Sequence, residues 1–284
     1  MSTATHRGRI AACLVWIVSG AVGAPAAEPL AVVNASIRQM EDGATLPPGF
    51  TYTPGEILFF SFQVAGYQAA DDKVHLTYQV DALDPNGVKL MEPIKGTVEA
   101  TLAPQDKEWK PKVHPELSIP PLAGSGTYKI VARVHDEVGK TDAIKEIPFT
   151  VRGRDVPSSD TLMVRNFHYY RSEEDPNPLA HAVYKAGDAI WARFDIIGYK
   201  LGEGNHVEVS YGIAVLNAED KVLFAQEQAA LEQGGSFYPK RYVPGQMSLT
   251  TQSNMRKGDY FIVVKVEDRV GAQKYETKEK FTVE

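Results

Sequence analysis

The chain carries one stretch of about 125 residues twice, a length typical of a single domain, and this repetition constrains its fold more than any other feature. Slid against itself until Leu30 meets Leu162, it also matches Asn34 with Asn166, Glu41 with Glu173 and Tyr52 with Tyr184. Gly55 then meets Gly187, Phe62 meets Phe194, and Gly66-Tyr67 meets Gly198-Tyr199. Agreement is strongest late in each copy. Gly126-x-Tyr128-x-Ile130-Val131 aligns with Gly258-x-Tyr260-x-Ile262-Val263, and Asp136-x-Val138-Gly139 with Asp268-x-Val270-Gly271. Phe149-Thr150-Val151 closes copy one as Phe281-Thr282-Val283 closes copy two. Order and spacing hold throughout, with a one-residue shift in the middle. The expected organisation is a domain over 28–152, a linker over 153–160 and a second domain over 161–284. The connector Gly153-Arg154-Asp155-Val156-Pro157-Ser158-Ser159-Asp160 has the polar, Gly/Pro/Ser character of a linker.

Each copy reads as strands. Val74, Leu76, Tyr78, Val80 and Ala82 alternate in copy one, as Val207, Val209, Tyr211, Ile213 and Val215 do in copy two. Such alternation places one face of a strand on a core, and β-branched and aromatic residues suit it. Leu58, Phe60, Phe62 and Val64 match Ile190, Ala192, Phe194 and Ile196; Tyr128, Ile130, Ala132 and Val134 match Tyr260, Ile262, Val264 and Val266. Turn residues fall between the runs. Asp84-Pro85-Asn86-Gly87 suits a tight turn, answered by Asn217-Ala218-Glu219-Asp220. Asp136–Gly139 and Asp268–Gly271 read as hairpin loops closed by a glycine at positive φ. Ala225 to Gln233 has a helical look, but copy one has Ile94-Lys95-Gly96-Thr97-Val98 there, so both are read as strands. Short strands with regular turns and no βαβ alternation predict an all-β fold of two sandwiches.

The Gly-x-Tyr lead-in to a late strand, the Asp-x-x-Gly hairpin and the closing Phe-Thr-Val resemble the C-terminal half of immunoglobulin-like and PKD-like bacterial modules. The resemblance covers roughly a third of each copy and implies a fold, not an activity. In the immunoglobulin family a tyrosine at that corner ties its strand to upstream backbone; Tyr128 and Tyr260 are the matching residues. Ile130 and Ile262 stand where that family has its second disulfide cysteine, so apolar packing replaces the bridge.

Residues 1–27 read as a secretory signal peptide: basic Arg7 and Arg9, an apolar run from Ile10 to Gly23, then small Ala24-Pro25-Ala26-Ala27. The run falls short of the length that spans a bilayer, about 20 residues, although an uncleaved signal serving as an anchor is the alternative. The one cysteine, Cys13, lies inside it, so the mature chain is expected to hold no disulfide, thiolate ligand or cysteine nucleophile. Cleavage would remove two arginines and no acid, moving the net charge from −6 to −8. That balance argues against nucleic acid and anionic membrane surfaces as partners. The expected mature protein is periplasmic or extracellular and has no transmembrane segment.

Catalytic signatures are missing from the sequence. His75, His114, His135, His168, His181 and His206 are scattered and form no His-x-His or His-Glu-x-x-His pair, so no metal site is expected. Glu173-Glu174-Asp175-Pro176-Asn177 lacks the acid spacing and central glycine of a calcium loop and reads as a charged connector. Gly124-Ser125-Gly126 is a plain turn, not a nucleophile elbow. Without a phosphate loop or dinucleotide fingerprint, no cofactor is expected. One feature stands outside the strands: Trp109-Lys110-Pro111-Lys112 in copy one, opposite Phe237-Tyr238-Pro239-Lys240-Arg241-Tyr242 in copy two. Aromatics beside cations suit contact surfaces, so Trp109, Lys110, Tyr238, Arg241 and Tyr242 are the expected ligand-binding residues. The bland alternative is that these rings cap the sandwich ends. The leading reading is therefore an exported, non-catalytic binding module of a bacterial cell envelope, with a protein or glycan partner. Its alternatives are a secreted enzyme with an acid- or histidine-based site at the domain junction, and a structural spacer.

Overall fold

The computed structural model describes residue 1, residues 28–106 and residues 108–284; the expected signal peptide and Cys13 lie outside the described residues. Copy one builds β1 (Ala31–Arg38), β2 (Thr51–Tyr52), β3 (Ile57–Ala65), β4 (Lys73–Leu83), β5 (Ile94–Thr101), β6 (Lys112–Val113), β7 (Glu116–Ser118), β8 (Gly126–Asp136) and β9 (Thr141–Val151). Copy two builds β10 (Met163–Tyr170), β11 (Val183–Tyr184), β12 (Ala189–Ile197), β13 (Val207–Asn217), β14 (Val222–Gly234), β15 (Val243–Thr250), β16 (Gly258–Asp268) and β17 (Gln273–Val283). The pairs β1/β10, β2/β11, β3/β12, β8/β16 and β9/β17 all start at the offset that sets Leu30 on Leu162. The duplication seen in the sequence is thus a duplication of architecture.

Each copy is a two-sheet sandwich. One sheet runs β2-β9-β8-β4-β5, matched in copy two by β11-β17-β16-β13-β14. The facing sheet joins β1, β3 and the β6 and β7 pieces, matched by β10-β12-β15. Pairing is antiparallel apart from the short β2/β9 and β11/β17 contacts, which are parallel. The protein is two tandem immunoglobulin-like β-sandwiches. Among the described residues no helix is long and apolar enough to cross a membrane.

The alternating faces meet between the sheets as expected. Phe62, Tyr128 and Ile130 are buried in one core; Phe194, Tyr260 and Ile262 are buried in the other. Each corner tyrosine also ties its strand to upstream backbone. Tyr128 donates its hydroxyl proton to the Gly124 carbonyl and Tyr260 to that of Arg256, both at 2.8 Å. The Ala225–Gln233 stretch lies in β14, a mostly exposed edge strand, where the missing burial period explains its helical look.

One expectation needs correction. Positive φ in the two hairpin loops falls at Lys140 and Ala272, one residue beyond the glycines. Gly139 and Gly271 are instead required by crowding: a Cβ on Gly139 would lie 2.7 Å from Asp136 Oδ2, and one on Gly271 would strike Asp268 Oδ2. Both aspartates are buried and anchor the loops through backbone amides. Asp136 accepts from the Gln68 and Val138 N–H groups; Asp268 accepts from those of Lys200 and Gly271 and from the Gln273 side-chain amide.

Candidate functional site

Among the places where polar and aromatic side chains gather outside the sandwich cores are the joint between the copies and a groove at the far end of copy one.

The joint is built on two buried aspartates. Asp84 follows β4, and its Oδ1 accepts the Asn86 and Val88 amides at 2.8 and 2.9 Å, closing the expected turn. Its Oδ2 faces copy two, where it accepts the Tyr238 hydroxyl at 3.0 Å and the Arg241 guanidinium at 2.6 Å. Asp195, in β12, accepts the Arg154 guanidinium from the connector at 2.6 Å and the Asn166 amide at 2.8 Å. Arg154 also lies over the Tyr242 ring, 5.3 Å from its centroid. Burial pushes the Tyr238 phenol well above its ordinary value, against the opposing charge of Arg241. Tyr242 is raised for the same reason, with Arg154 opposing. A buried carboxylate is tolerated only when paired and hydrogen-bonded, and each joint aspartate receives an arginine from a different segment of chain. Between these contacts a cleft of about 320 Å³ is walled by Pro85, Leu122, Val156, Pro157, Tyr238 and Tyr242.

This placement revises the expected contact surface. Tyr238 is 7% exposed and packs into copy one's core, Tyr242 is 6% exposed, and Arg241 is held by Asp84. Tyr238 and Tyr242 are withdrawn into the joint, where their rings leave water, while the Arg241 side chain stays 46% exposed and turns its guanidinium onto Asp84. Arg154 of the connector reaches into the same joint.

Trp109 and Lys110 are on the surface. Trp109 is 38% exposed and stands edge-on to Tyr67, centroids 6.4 Å apart, while the Tyr67 hydroxyl donates to the Trp109 carbonyl at 2.5 Å. A groove of about 760 Å³ opens there, lined by Glu28, Gln63, Tyr67, Glu108, Trp109 and Lys110. Asn34, at positive φ in a bulge of β1, donates its side-chain amide to Gln63 Oε1 at 2.6 Å. Lys110 joins no ion pair among the described residues. Trp109 and Lys110 therefore lie in one place and the other three expected residues in another.

Other polar groups form local pairs. His75, His114 and His135 sit in exposed pairs with Glu99, Glu41 and Asp142. Among the described residues no group of three or more His, Cys, Asp or Glu side chains is placed to hold a metal ion. In the acidic loop, Asp175 accepts the Asn177 amide in a local turn. Sequence reasoning did not single out Asp84 and Asp195 as joint residues. The one available signal was that the repeat keeps acids there in one copy each, with Asn217 and Gln63 as their counterparts.

The fold and these two places define a tandem immunoglobulin-like structure with a fastened joint and an open polar-aromatic groove at Trp109. No protein-family model matches the sequence, and no curated protein matches it. Among solved structures the chain is similar to the C-terminal domain of the AgI/II polypeptide BspA from Streptococcus agalactiae, at 11% identity over 90% of this chain and 99% of that one, with a TM-score of 0.31. A second BspA C-terminal structure matches at 12% identity over 88% and 99%, with a TM-score of 0.30. A red sea bream transglutaminase matches at 11% identity over 88% of this chain and 31% of the enzyme, with a TM-score of 0.24. Similarity this low carries no weight for activity or partner.

Proposed function

We propose that this protein is an exported, non-catalytic interaction module of a bacterial cell envelope. Residues 1–27 would serve as the secretory signal, and domains over 28–152 and 161–284 would act as one strut that holds the Trp109 groove outward. The observation that carries this reading is the division of labour between the two ends of copy one. Its lower end is closed by Asp84, Tyr238 and Arg241, while its upper end leaves an exposed tryptophan beside a groove, next to a lysine in no ion pair among the described residues. Exposed rings beside charges make large contact area at little entropy cost, which suits a protein or glycan partner.

The withdrawal of Tyr238 and Tyr242 into the joint favours a second reading, a spacer with no partner at all. The two separate in one experiment. Wild-type protein and a Trp109→Ala, Lys110→Ala double variant, both verified as folded, are compared in capture from envelope extract. Loss of a wild-type partner in the variant supports the module, and identical recovery from both favours the spacer.

A further inference from the structure

We propose that the groove at Trp109 binds a neutral saccharide, an inference that rests on the interaction-module reading and names its ligand class. Strand register places Gln63 where copy two has Asp195, since Phe62 pairs with Val113 as Phe194 pairs with Gly245. The same offset between the copies sets Asn34 against Asn166, Trp109 against Arg241, Lys110 against Tyr242, and Glu108 against Lys240. In copy two these positions are consumed by the joint: Asp195 is buried under Arg154, and Arg241 reaches across to Asp84. Copy one keeps the geometry and changes the chemistry. The asparagine still donates to its partner on the neighbouring strand, at 2.6 Å in copy one and 2.8 Å in copy two, but that partner is now a neutral amide.

Gln63 Oε1 accepts from Asn34 Nδ2, and whichever way the two amides turn, the pair leaves one amide donor and one amide acceptor for another molecule. Neither makes another hydrogen bond within the protein among the described residues. Beside them stands the exposed Trp109 ring, a flat apolar surface of the kind that covers the C–H face of a pyranose. Glu28, Glu108 and Lys110 supply further hydroxyl partners at the rim. Glu28 and Glu108 face Lys110 and, once residues 1–27 are removed, the new α-ammonium of Glu28, so the groove gathers no excess of cations for an acidic saccharide or nucleic acid. The volume of about 760 Å³ lies within the range of roughly 300–1,000 Å³ common to small-molecule sites. The ring, the groove-lining Gln63 amide and the mixed-charge rim together fit a polyhydroxylated, uncharged ligand, whose C–H face covers the ring while its hydroxyls both donate and accept.

The test is a glycan array carrying neutral gluco-oligosaccharides, N-acetylglucosamine oligomers and sulfated or uronic-acid glycans, followed by calorimetry with the best binder. Wild-type protein should bind neutral members. Trp109→Ala should weaken binding at least about 10-fold and Gln63→Ala by several-fold, while Ile144→Ala, on an exposed face of β9, should bind as wild type. An empty array, preference for acidic glycans, or unchanged affinity in folded Trp109→Ala would each overturn the proposal. The envelope-capture comparison separates its failure from that of the parent reading. Trp109-dependent capture of a protein with an empty array sinks the saccharide alone; no Trp109-dependent capture and an empty array sink both.

Discussion

Phe194 shows how much of a sandwich core hangs on one ring. It is 2% exposed, stacks on Phe167 with centroids 5.7 Å apart, meets Tyr211 edge-on at 5.1 Å, and fills the space that a Cβ on Gly245 would need. Phe194→Ala should lower stability by about 3–5 kcal/mol in denaturant unfolding, because neighbouring strands cannot close the cavity. A change below about 1 kcal/mol would mean that the site collapses freely. The tyrosines carry a pH signature as well. Burial raises Tyr52 and Tyr184 to about 12, and Tyr52 has a buried hydroxyl with no protein partner. Their folded values lie above the unfolded value, so their contribution is complete below about pH 10 and is lost as pH rises through the folded values. A phenolate absorbance titration should therefore show some tyrosines ionising only near pH 12, together with unfolding. Ionisation of every tyrosine near pH 10 in a protein still folded would contradict the buried placement.

At the scale of elements, the hairpins β8–β9 and β16–β17 depend on an acid that no alternation pattern explains. Asp268 is fully buried, holds the Lys200 and Gly271 amides at 3.0 Å, and so pins the end of β12 to the turn between β16 and β17. Asp268→Ala should cost about 1–3 kcal/mol for each buried donor it strands, and amide exchange should accelerate first in that turn. Uniform protection in the variant would show that water replaces the carboxylate at no cost. The sequence exposed this element by repeating Asp-x-Val-Gly twice, but it pointed to glycine torsion as the reason. The crowding of Gly271 against the carboxylate is local to the loop, but the carboxylate is held in that position by the Lys200 amide, 68 residues away, which is a tertiary fact. Strand β14 teaches the converse: an edge strand with little burial has no period to read, and only its counterpart in copy one revealed it.

For the whole molecule the consequential feature is the joint. Asp84 and Arg241 are 157 residues apart and Asp195 and Arg154 are 41 apart, yet both pairs close at 2.6 Å. An Arg154→Ala, Arg241→Ala double variant leaves two buried carboxylates unpaired, so the sandwiches should come apart as bodies while each stays folded. Small-angle scattering should then give a larger radius and a broader maximum-dimension distribution than wild type. An unchanged profile would assign the joint to the Tyr238 and Tyr242 rings and not to the ion pairs. Either result reports on how firmly the Trp109 groove is held relative to copy two.

Repeat, strand faces, corner tyrosines and both cores were legible in the sequence because each is a matter of short-range periodicity or of one copy checking the other. The five residues expected to bind were legible only as a type, aromatic beside cation. Their division into a joint and an open groove was decided by which loop found a carboxylate across the chain. Tyr238 and Arg241 met Asp84, whereas Trp109 and Lys110, at the equivalent end of copy one, sit beside Gln63. A side chain's propensity is local, but its desolvation and its partner depend on the whole fold, so the same kind of loop became structure in one copy and surface in the other.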